Sequence, residues 1–122
     1  MDRPIRVVVV DDQVIVRSGL RMILESQSDI EVVGEAGNGE EGVRLVDQLV
    51  PDVVLMDIRM PVLDGIAATR VLTARDPGIR VVILTTYAAD ENVHEALHAG
   101  AAGFFAKTDE PEEILAGVRA VA

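Results

Sequence analysis

The sequence predicts an α/β fold built on one parallel sheet, and three observations carry that prediction. Five short aliphatic runs are separated by segments of helical length, an alternation typical of parallel strands joined by right-handed crossovers. The runs are unbroken, as expected for strands that are buried on both faces. A chain of 122 residues, 49% of them hydrophobic, is long enough to form a sizeable core. We therefore predict a single domain over residues 1–122.

The predicted elements follow one another in regular order, and each aliphatic run is too short to form a helix by itself. The strands are predicted over Ile5–Val10, Glu31–Val33, Val53–Met56, Val81–Leu84 and Gly103–Ala106. The helices that follow them are predicted over Val14–Gln27, Gly39–Leu49, Gly65–Arg75, Glu91–Ala99 and from Glu110 to the end of the chain.

Three helix boundaries carry additional signals. Asn38 and Asp109 are each followed three residues later by a glutamate, which predicts that they cap the second and fifth helices. A hairpin turn is the alternative at the Asn-Gly pair, but the valines that follow recur at helical spacing. Gly100 comes directly after the fourth helix, where a left-handed residue is expected.

Composition excludes several functional classes. The net charge of −10 opposes binding to nucleic-acid phosphates and anionic lipids, and the 2% of aromatic residues provides no base-stacking surface. Cysteine is absent, which excludes disulfides, thiolate chemistry and cysteine zinc sites. The first apolar run ends at Asp11 and is too short for a signal peptide or a membrane span. We therefore expect a cytoplasmic domain that binds neither nucleic acid nor membrane by itself.

Charged and hydroxyl side chains follow the predicted strands where those strands end. Asp11 and Asp12 follow the first strand, and Asp57, Thr85 and Lys107 follow the third, fourth and fifth. The carboxyl ends of parallel strands share one edge of the sheet, and ligands of open α/β sheets bind outside that edge. We therefore expect these five side chains to converge on one site.

A divalent cation is the expected occupant of this site. Neighbouring carboxylates penalise one another's ionisation unless a positive charge intervenes, and Mg²⁺ prefers a few carboxylates with positions left for water and phosphate. Lys107 is the only lysine among 11 basic residues, and its compact ammonium suits a small phosphoryl group. Solvated acids, a locally bonded threonine and an accidental lysine are the alternatives. They are plausible singly but much less so for five residues at one edge.

With these residues, the chain resembles the receiver domain of bacterial two-component response regulators over essentially its whole length. The matching motifs are Asp11-Asp12, Asp57 within LMDIRMPVLDG, Thr85 within ILTTY and Lys107 within AGAAGFFAKT. The segments MDIRMPVLDG and EALHAGAAGFFAK are most similar to the NarL/LuxR type. The resemblance implies a doubly wound, flavodoxin-like (βα)5 fold with five parallel strands. It also implies a phosphoacceptor switch, regulatory rather than enzymatic, that takes part in phosphoryl transfer to its own aspartate and in hydrolysis from it.

The resemblance assigns the metal and phosphoryl chemistry to particular residues. It implies that Asp57 accepts a phosphoryl group from a sensor histidine kinase, with Mg²⁺ as the cofactor. Asp57 and Asp12 would bind the metal directly, and Asp11 would bind it chiefly through water. The backbone carbonyl of Arg59 would complete the protein's share of the coordination.

The resemblance also implies how phosphorylation is sensed. Thr85 and Lys107 would contact the phosphoryl oxygens, and Phe104 is at the position of an aromatic residue that swings inward when the threonine moves. Phe104 and Tyr87 are candidates for an output face formed by the fourth helix, fifth strand and fifth helix. One departure from the family pattern is Thr108, where a proline often follows the lysine through a cis bond.

The expected partners follow from the same resemblance. They are a sensor histidine kinase and a second copy of the domain, in a homodimer that depends on phosphorylation. A helix-turn-helix DNA-binding domain is suspected after residue 122, since it follows the receiver domain in NarL/LuxR-type regulators. Transcription would then be controlled through that domain.

The segment HEALH, residues 94–98, matches the H-E-x-x-H zinc motif and supplies an enzymatic alternative. A helical wheel places His94 and His98 at the shoulder of an apolar arc, with the glutamates towards water. Catalytic zinc needs a third protein ligand, for which a distant carboxylate such as Glu112 would have to serve. We therefore favour a solvated helix face. A further alternative, an interaction module without phosphoryl chemistry, is disfavoured because all five edge residues are present.

Overall fold

The computed structural model describes residues 3–86 and 91–122. Its strands are β1 Ile5–Val10, β2 Ile30–Ala36, β3 Val53–Asp57, β4 Arg80–Thr85 and β5 Gly103–Ala106. Its helices are α1 Val14–Glu25, α2 Gly39–Leu49, α3 Gly65–Arg75, α4 Glu91–His98 and α5 Pro111–Val121. All strand pairs are parallel, in the order β2-β1-β3-β4-β5. The predicted five-stranded, doubly wound fold is confirmed. None of the helices described is both long and apolar enough to cross a bilayer.

Helices cover both faces of the sheet and enclose two hydrophobic layers. On one face, Leu24 of α1 and Val118 of α5 are fully buried against the strands. On the other face, Leu72 of α3 and Ala96 of α4 are buried with residues of α2. The four valines of β1 contribute alternately to the two layers, because successive side chains of a strand point to opposite faces. An unbroken apolar run is therefore what this central strand requires.

The parallel register brings the carboxyl ends of the strands to one edge. Val10 at the end of β1 pairs with Met56 of β3. The next residue of β3, Asp57, pairs with Leu84 of β4. Thr85, at the end of β4, pairs with Ala106 of β5. The carboxyl ends of these strands therefore share one edge, as the sequence predicted.

Several element boundaries differ from the predicted ones. β3 ends at Asp57, β4 spans Arg80–Thr85 and α4 ends at His98, each shifted by one residue, and the differences are larger for β2 and α1. β2 continues to Ala36 because it pairs with β1 along its whole length, with a register shift between Val7 and Val8. This extension was not visible as an apolar run, since β2 is an edge strand with polar residues on it. α1 ends at Glu25, and the Ser26 hydroxyl donates to the Ile23 carbonyl at 2.7 Å near the end of the helix.

Two of the three predicted helix-boundary signals are confirmed. The Asn38 side chain accepts a hydrogen bond from the backbone N–H of Glu41 at 2.9 Å, which satisfies a donor in the first turn of α2. Gly100 follows α4 with a φ of +110°, in the region that favours glycine.

The predicted cap at Asp109 is wrong. α5 begins at Pro111, so that Glu110 is the N-cap residue and forms no side-chain cap hydrogen bond. The Asp109 carboxylate instead accepts from the backbone N–H of Ala106 at 3.1 Å. Proline at the first helical position explains the later start, because its fixed φ suits that position and it has no N–H that needs a partner.

Candidate functional site

Three carboxylates converge at the carboxyl edge of the sheet. Asp11 and Asp12 follow β1, and Asp57 is the last residue of β3. Each offers one oxygen to a group whose ligand atoms all lie within 4.8 Å of one another. Asp11 is fully buried and Asp57 is 7% exposed, whereas Asp12 is exposed to solvent. The predicted acidic cluster is therefore present, with one member at its open side.

Lys107 lies between two of these carboxylates. Its Nζ is 2.9 Å from Asp11 Oδ2 and 3.3 Å from Asp57 Oδ2. It is also 3.5 Å from Oε1 of Gln13, the residue after the acidic pair. The backbone N–H of Lys107 donates to the Thr85 carbonyl at 2.8 Å, which continues the β4–β5 pairing beyond the strand ends. This backbone bond aims the lysine at the acids.

One oxygen of the cluster fits a metal ion. Asp11 Oδ2 is buried and has no hydrogen-bond partner among the residues that the structure describes. Lys107 Nζ lies close to it, but as an ion pair without hydrogen-bond geometry. One ammonium therefore serves a cluster of three carboxylates, and a hard cation with its water shell would neutralise the remaining negative charge. The donor set of carboxylate oxygens is the one that Mg²⁺ prefers.

The charges of the cluster also favour a bound cation. Burial, followed by the negative charge of Asp11, raises the pKa of Asp57 from 3.8 to about 6, despite the opposing effect of Lys107. Burial by itself lowers the pKa of Lys107, but its close contact with the Asp11 carboxylate and the charge of Asp57 outweigh burial, so its pKa is raised overall. The Lys107 ammonium is therefore charged at neutral pH, but its single positive charge does not neutralise the three carboxylates.

The loop after β3 is held against the site by a close backbone approach. The N–H of Gly65 donates to the Ile58 carbonyl at 2.8 Å. A Cβ at Gly65 would lie 1.9 Å from the Asp57 carbonyl oxygen, so that only glycine fits there. Asp64 caps α3 by accepting from the N–H of Ala67 at 2.8 Å. These contacts place Arg59 at the wall of the cleft.

Asp12 and Asp57 border an open cleft of about 340 Å³. Thr85 contributes to its wall and is 3% exposed, so this predicted residue lines the same cleft as Asp12 and Asp57. The part of the chain that the structure describes contains no cis peptide bond, and the bond before Thr108 is trans. The cleft is lined by Asp12, Gln13, Asp57, Ile58, Arg59, Leu84, Thr85, Thr86 and Lys107.

Two residues near the acids were missed by the sequence reasoning. Arg17, on α1, donates from Nη1 to the backbone carbonyl of Asp11 at 2.6 Å. Its Nε lies 3.5 Å from Glu35, which also pairs with Arg21 at 2.5 Å. Gln13 lines the cleft. Neither residue follows a strand run directly, and neither had a sequence signal beyond its proximity to the acidic pair.

Of the two aromatic residues predicted for the output face, only Phe104 is among the residues that the structure describes. Phe104 is on β5 with its side chain 41% exposed, while the neighbouring Phe105 is buried. The Phe105 ring packs where a Cβ at Gly117 of α5 would lie, 2.2 Å from it. The Phe104 side chain therefore lies on the solvent-exposed side of β5. Tyr87 lies outside the residues that the structure describes.

The H-E-x-x-H segment does not form a three-ligand zinc site. His94 and His98 are exposed on α4. Among the side chains described, the three aspartates form the only group of three or more potential metal ligands. Glu112 therefore does not join the histidines. The preference for a solvated helix face is consistent with this arrangement.

Comparison with known proteins identifies the family. The model of the response regulator receiver domain matches residues 7–119. The chain belongs to that family. LiaR of Bacillus subtilis, a transcriptional regulatory protein, is 44% identical over 116 residues, which cover 95% of this chain and 55% of LiaR. This receiver domain is therefore of the kind found in transcriptional response regulators.

Solved structures show the same receiver fold. A two-component response regulator of the LuxR family from Aurantimonas is 35% identical, with a TM-score of 0.91 over 97% of this chain and 84% of that chain. CheY of Borrelia burgdorferi, solved in a complex with CheX, BeF3 and Mg²⁺, is 29% identical, with a TM-score of 0.90 over 98% of this chain and 90% of that chain. The chain spans about half the length of the curated relatives it matches.

Proposed function

We propose that this receiver domain is a phosphorylation switch in which Asp57 accepts a phosphoryl group from a histidine kinase. The observation that carries the proposal is the cluster of three carboxylates within 4.8 Å, with Lys107 contacting two of them at the edge of an open cleft. A carboxylate oxygen of Asp57 forms the new bond to phosphorus while the phosphorus–nitrogen bond of the donor phosphohistidine breaks. The leaving imidazole keeps the electron pair of that bond.

The acids of the site would hold Mg²⁺, which supplies neutralisation of the charge on the phosphoryl oxygens. Asp12 and Asp57 would bind it directly, Asp11 would bind it chiefly through water, and the backbone carbonyl of Arg59 would complete the protein's share of the ligands. The excess of three clustered carboxylates over one ammonium supports this assignment. So does the Mg²⁺ in the complex that contains the Borrelia CheY.

The side chains around Asp57 orient and neutralise the group that it accepts. Lys107 already lies 3.3 Å from Asp57 Oδ2, and it balances the charge of the phosphoryl oxygens. The buried Thr85 hydroxyl donates to one of them. The burial that raises the pKa of Asp57 also keeps its carboxylate poorly solvated, which favours bond formation with a phosphoryl group. Hydrolysis from Asp57 in the same site returns the domain to its basal state.

Phosphorylation adds a charge of about −1.5 to −2 at one edge of the sheet, which biases an element that has two conformations. We assign that element to the face formed by α4, β5 and α5, with Thr85 transmitting the change and Phe104 responding. The exposed position of Phe104 supports this role, because the side chain is not fixed in the core. Tyr87, which lies outside the residues that the structure describes, stays a candidate on the evidence of the sequence. The altered face supports a homodimer of phosphorylated chains.

The curated relatives are longer than this chain and include transcriptional regulatory proteins, which supports a proposal for the whole protein. Since the chain spans about half of them, we propose that a helix-turn-helix DNA-binding domain follows residue 122 in the native protein. Phosphorylation of the receiver domain would then control transcription in the cytoplasm. DNA would be bound through the attached domain, because this domain has a net charge of −10.

Incubation with acetyl phosphate and Mg²⁺, followed by intact-mass measurement, tests the proposed chemistry. We expect the mass to rise by one phosphoryl group in the wild type and to stay unchanged in Asp57→Asn or without Mg²⁺. Asp64→Asn is the matched control, since asparagine can replace aspartate as the N-cap of α3. It should be labelled normally.

The same measurement separates the switch from an interaction module without phosphoryl chemistry. Absence of labelling in the folded wild type would support the interaction module and contradict the proposal. Labelling of Asp57→Asn at the wild-type level would exclude Asp57 as the acceptor.

A further inference from the structure

The exposed side of α4 carries a second pair of metal-binding side chains, separate from the acidic cluster. His94 and His98 are the only histidines of the chain, and both belong to the helix Glu91–His98. Side chains four residues apart lie one above the other on a helix face, with Cβ atoms about 5–6 Å apart. Two imidazoles at this spacing are able to bind one cation together.

Both imidazoles are accessible and make no competing interaction. The buried side of α4 is formed by Val93 and Ala96, 5% and 1% exposed, and the helical spacing places His94 and His98 on the opposite, exposed side. Neither histidine forms a hydrogen bond or an ion pair with any residue in the ranges that the structure describes. Binding a cation there breaks no existing contact.

The glutamate of the H-E-x-x-H segment does not share this side of the helix. Glu95 lines a groove between α3 and α4, together with Asn92 and Arg70. Among the side chains that the structure describes, no carboxylate joins the two histidines as a third ligand. This arrangement supports binding without hydrolytic chemistry.

We propose that His94 and His98 together bind one divalent transition-metal ion, such as Ni²⁺, Cu²⁺ or Zn²⁺, with water in its remaining positions. Imidazole nitrogens suit these ions, whereas Mg²⁺ prefers oxygen ligands, so the two sites of the domain select different cations. The proposal does not depend on the phosphoacceptor function. It concerns only the exposed side of α4.

Occupancy of this site stabilises α4 in its helical form. The two imidazoles are brought together only when residues 94–98 are helical, and a ligand that binds only the folded form stabilises that form. α4 has eight residues, fewer than any other helix described, and helices this short depend on other contacts for their stability. Metal binding therefore slows amide hydrogen exchange in α4 more than in the other helices.

Titration of the untagged chain with Ni²⁺ at neutral pH tests the proposal, with saturating Mg²⁺ to occupy the acidic cluster. We expect one Ni²⁺ per chain and an affinity that falls about tenfold or more in His94→Ala and in His98→Ala. The matched control combines His98→Ala with Glu95→His, which keeps two histidines but places them next to each other. Adjacent side chains do not face each other on a helix, so this variant should bind as weakly as His98→Ala.

Three results would overturn the proposal. Wild-type affinity in either alanine variant or in the adjacent-histidine variant would show that the imidazoles do not act as a pair at this spacing. Loss of Ni²⁺ binding in saturating Mg²⁺ would place the ion in the acidic cluster. One Ni²⁺ per two chains would indicate a bridged dimer instead of an intramolecular site. Circular dichroism confirms that each exposed-site variant is folded, and hydrogen exchange of α4 gives the second readout.

Discussion

Replacing the proposed phosphoacceptor by its neutral isostere, Asp57→Asn, should stabilise the metal-free domain. Burial and the charge of Asp11 raise the pKa of Asp57 from 3.8 to about 6 in the folded state. At about 1.4 kcal/mol for each pKa unit, keeping this carboxylate ionised above its folded pKa costs about 3 kcal/mol of stability. The cleft is open to solvent, which screens the charge, so we expect a gain of about 1–2 kcal/mol in the variant.

The stability that Asp57→Asn gains over the wild type should increase as pH rises. A carboxyl group whose pKa is higher in the folded than in the unfolded chain binds protons more tightly when folded, so its contribution to stability is lost as pH rises through about 6. Below about pH 4 the group is neutral in both states of the wild type. The advantage of Asp57→Asn should therefore be small near pH 4, grow up to about pH 6 and stay constant above it.

Urea denaturation in EDTA measures this difference, and Mg²⁺ provides an internal check. Glu31→Gln is the matched control, because it removes one negative charge from an exposed position of a chain with a net charge of −10. Saturating Mg²⁺ should stabilise the wild type more than the variant, since the variant lacks one metal ligand. The reasoning fails if Asp57→Asn is no more stable than Glu31→Gln at neutral pH, or if its advantage is equally large near pH 4.

Three further predictions concern the packing and the support of the site. Gly117→Ala should lose about 1–2 kcal/mol in urea denaturation, because the new Cβ would lie 2.2 Å from the buried Phe105 ring. Gly19→Ala, whose Cβ meets nothing within 4 Å, should gain up to about 1 kcal/mol, and equal effects of the two changes would contradict the packing argument. Arg17→Met should weaken Mg²⁺ binding about tenfold by calorimetry, since it removes the hydrogen bond to the Asp11 carbonyl. Arg21→Met removes only the pairing with glutamates and should not weaken binding; equal losses would rule out the backbone contact as the cause. Asn38→Ala should cost about 1 kcal/mol in thermal denaturation through loss of the α2 cap, whereas Asn38→Asp should keep most of that stability.

The sequence determined the order of elements and the edge at which the acids meet. The aliphatic run of β1 alternates between two buried faces, so its hydrophobicity is visible without any knowledge of the neighbouring strands. A parallel sheet then requires the carboxyl ends of β1 and β3 to share one edge, and Asp11, Asp12 and Asp57 lie together there. Local capping chemistry likewise predicted Asn38, whose partner is only three residues away.

Only the tertiary structure decided how the members of the site differ from one another. Asp11 and Asp12 are adjacent in sequence, yet Asp11 is fully buried and Asp12 is exposed. No local sequence pattern distinguishes them. Arg17 reaches the Asp11 carbonyl because α1 packs beside the end of β1, and Asp109 binds Ala106 rather than capping α5. Burial, charge and hydrogen bonding at this edge depend on the distances between segments far apart in the chain. Those distances are set by the packing of the whole domain.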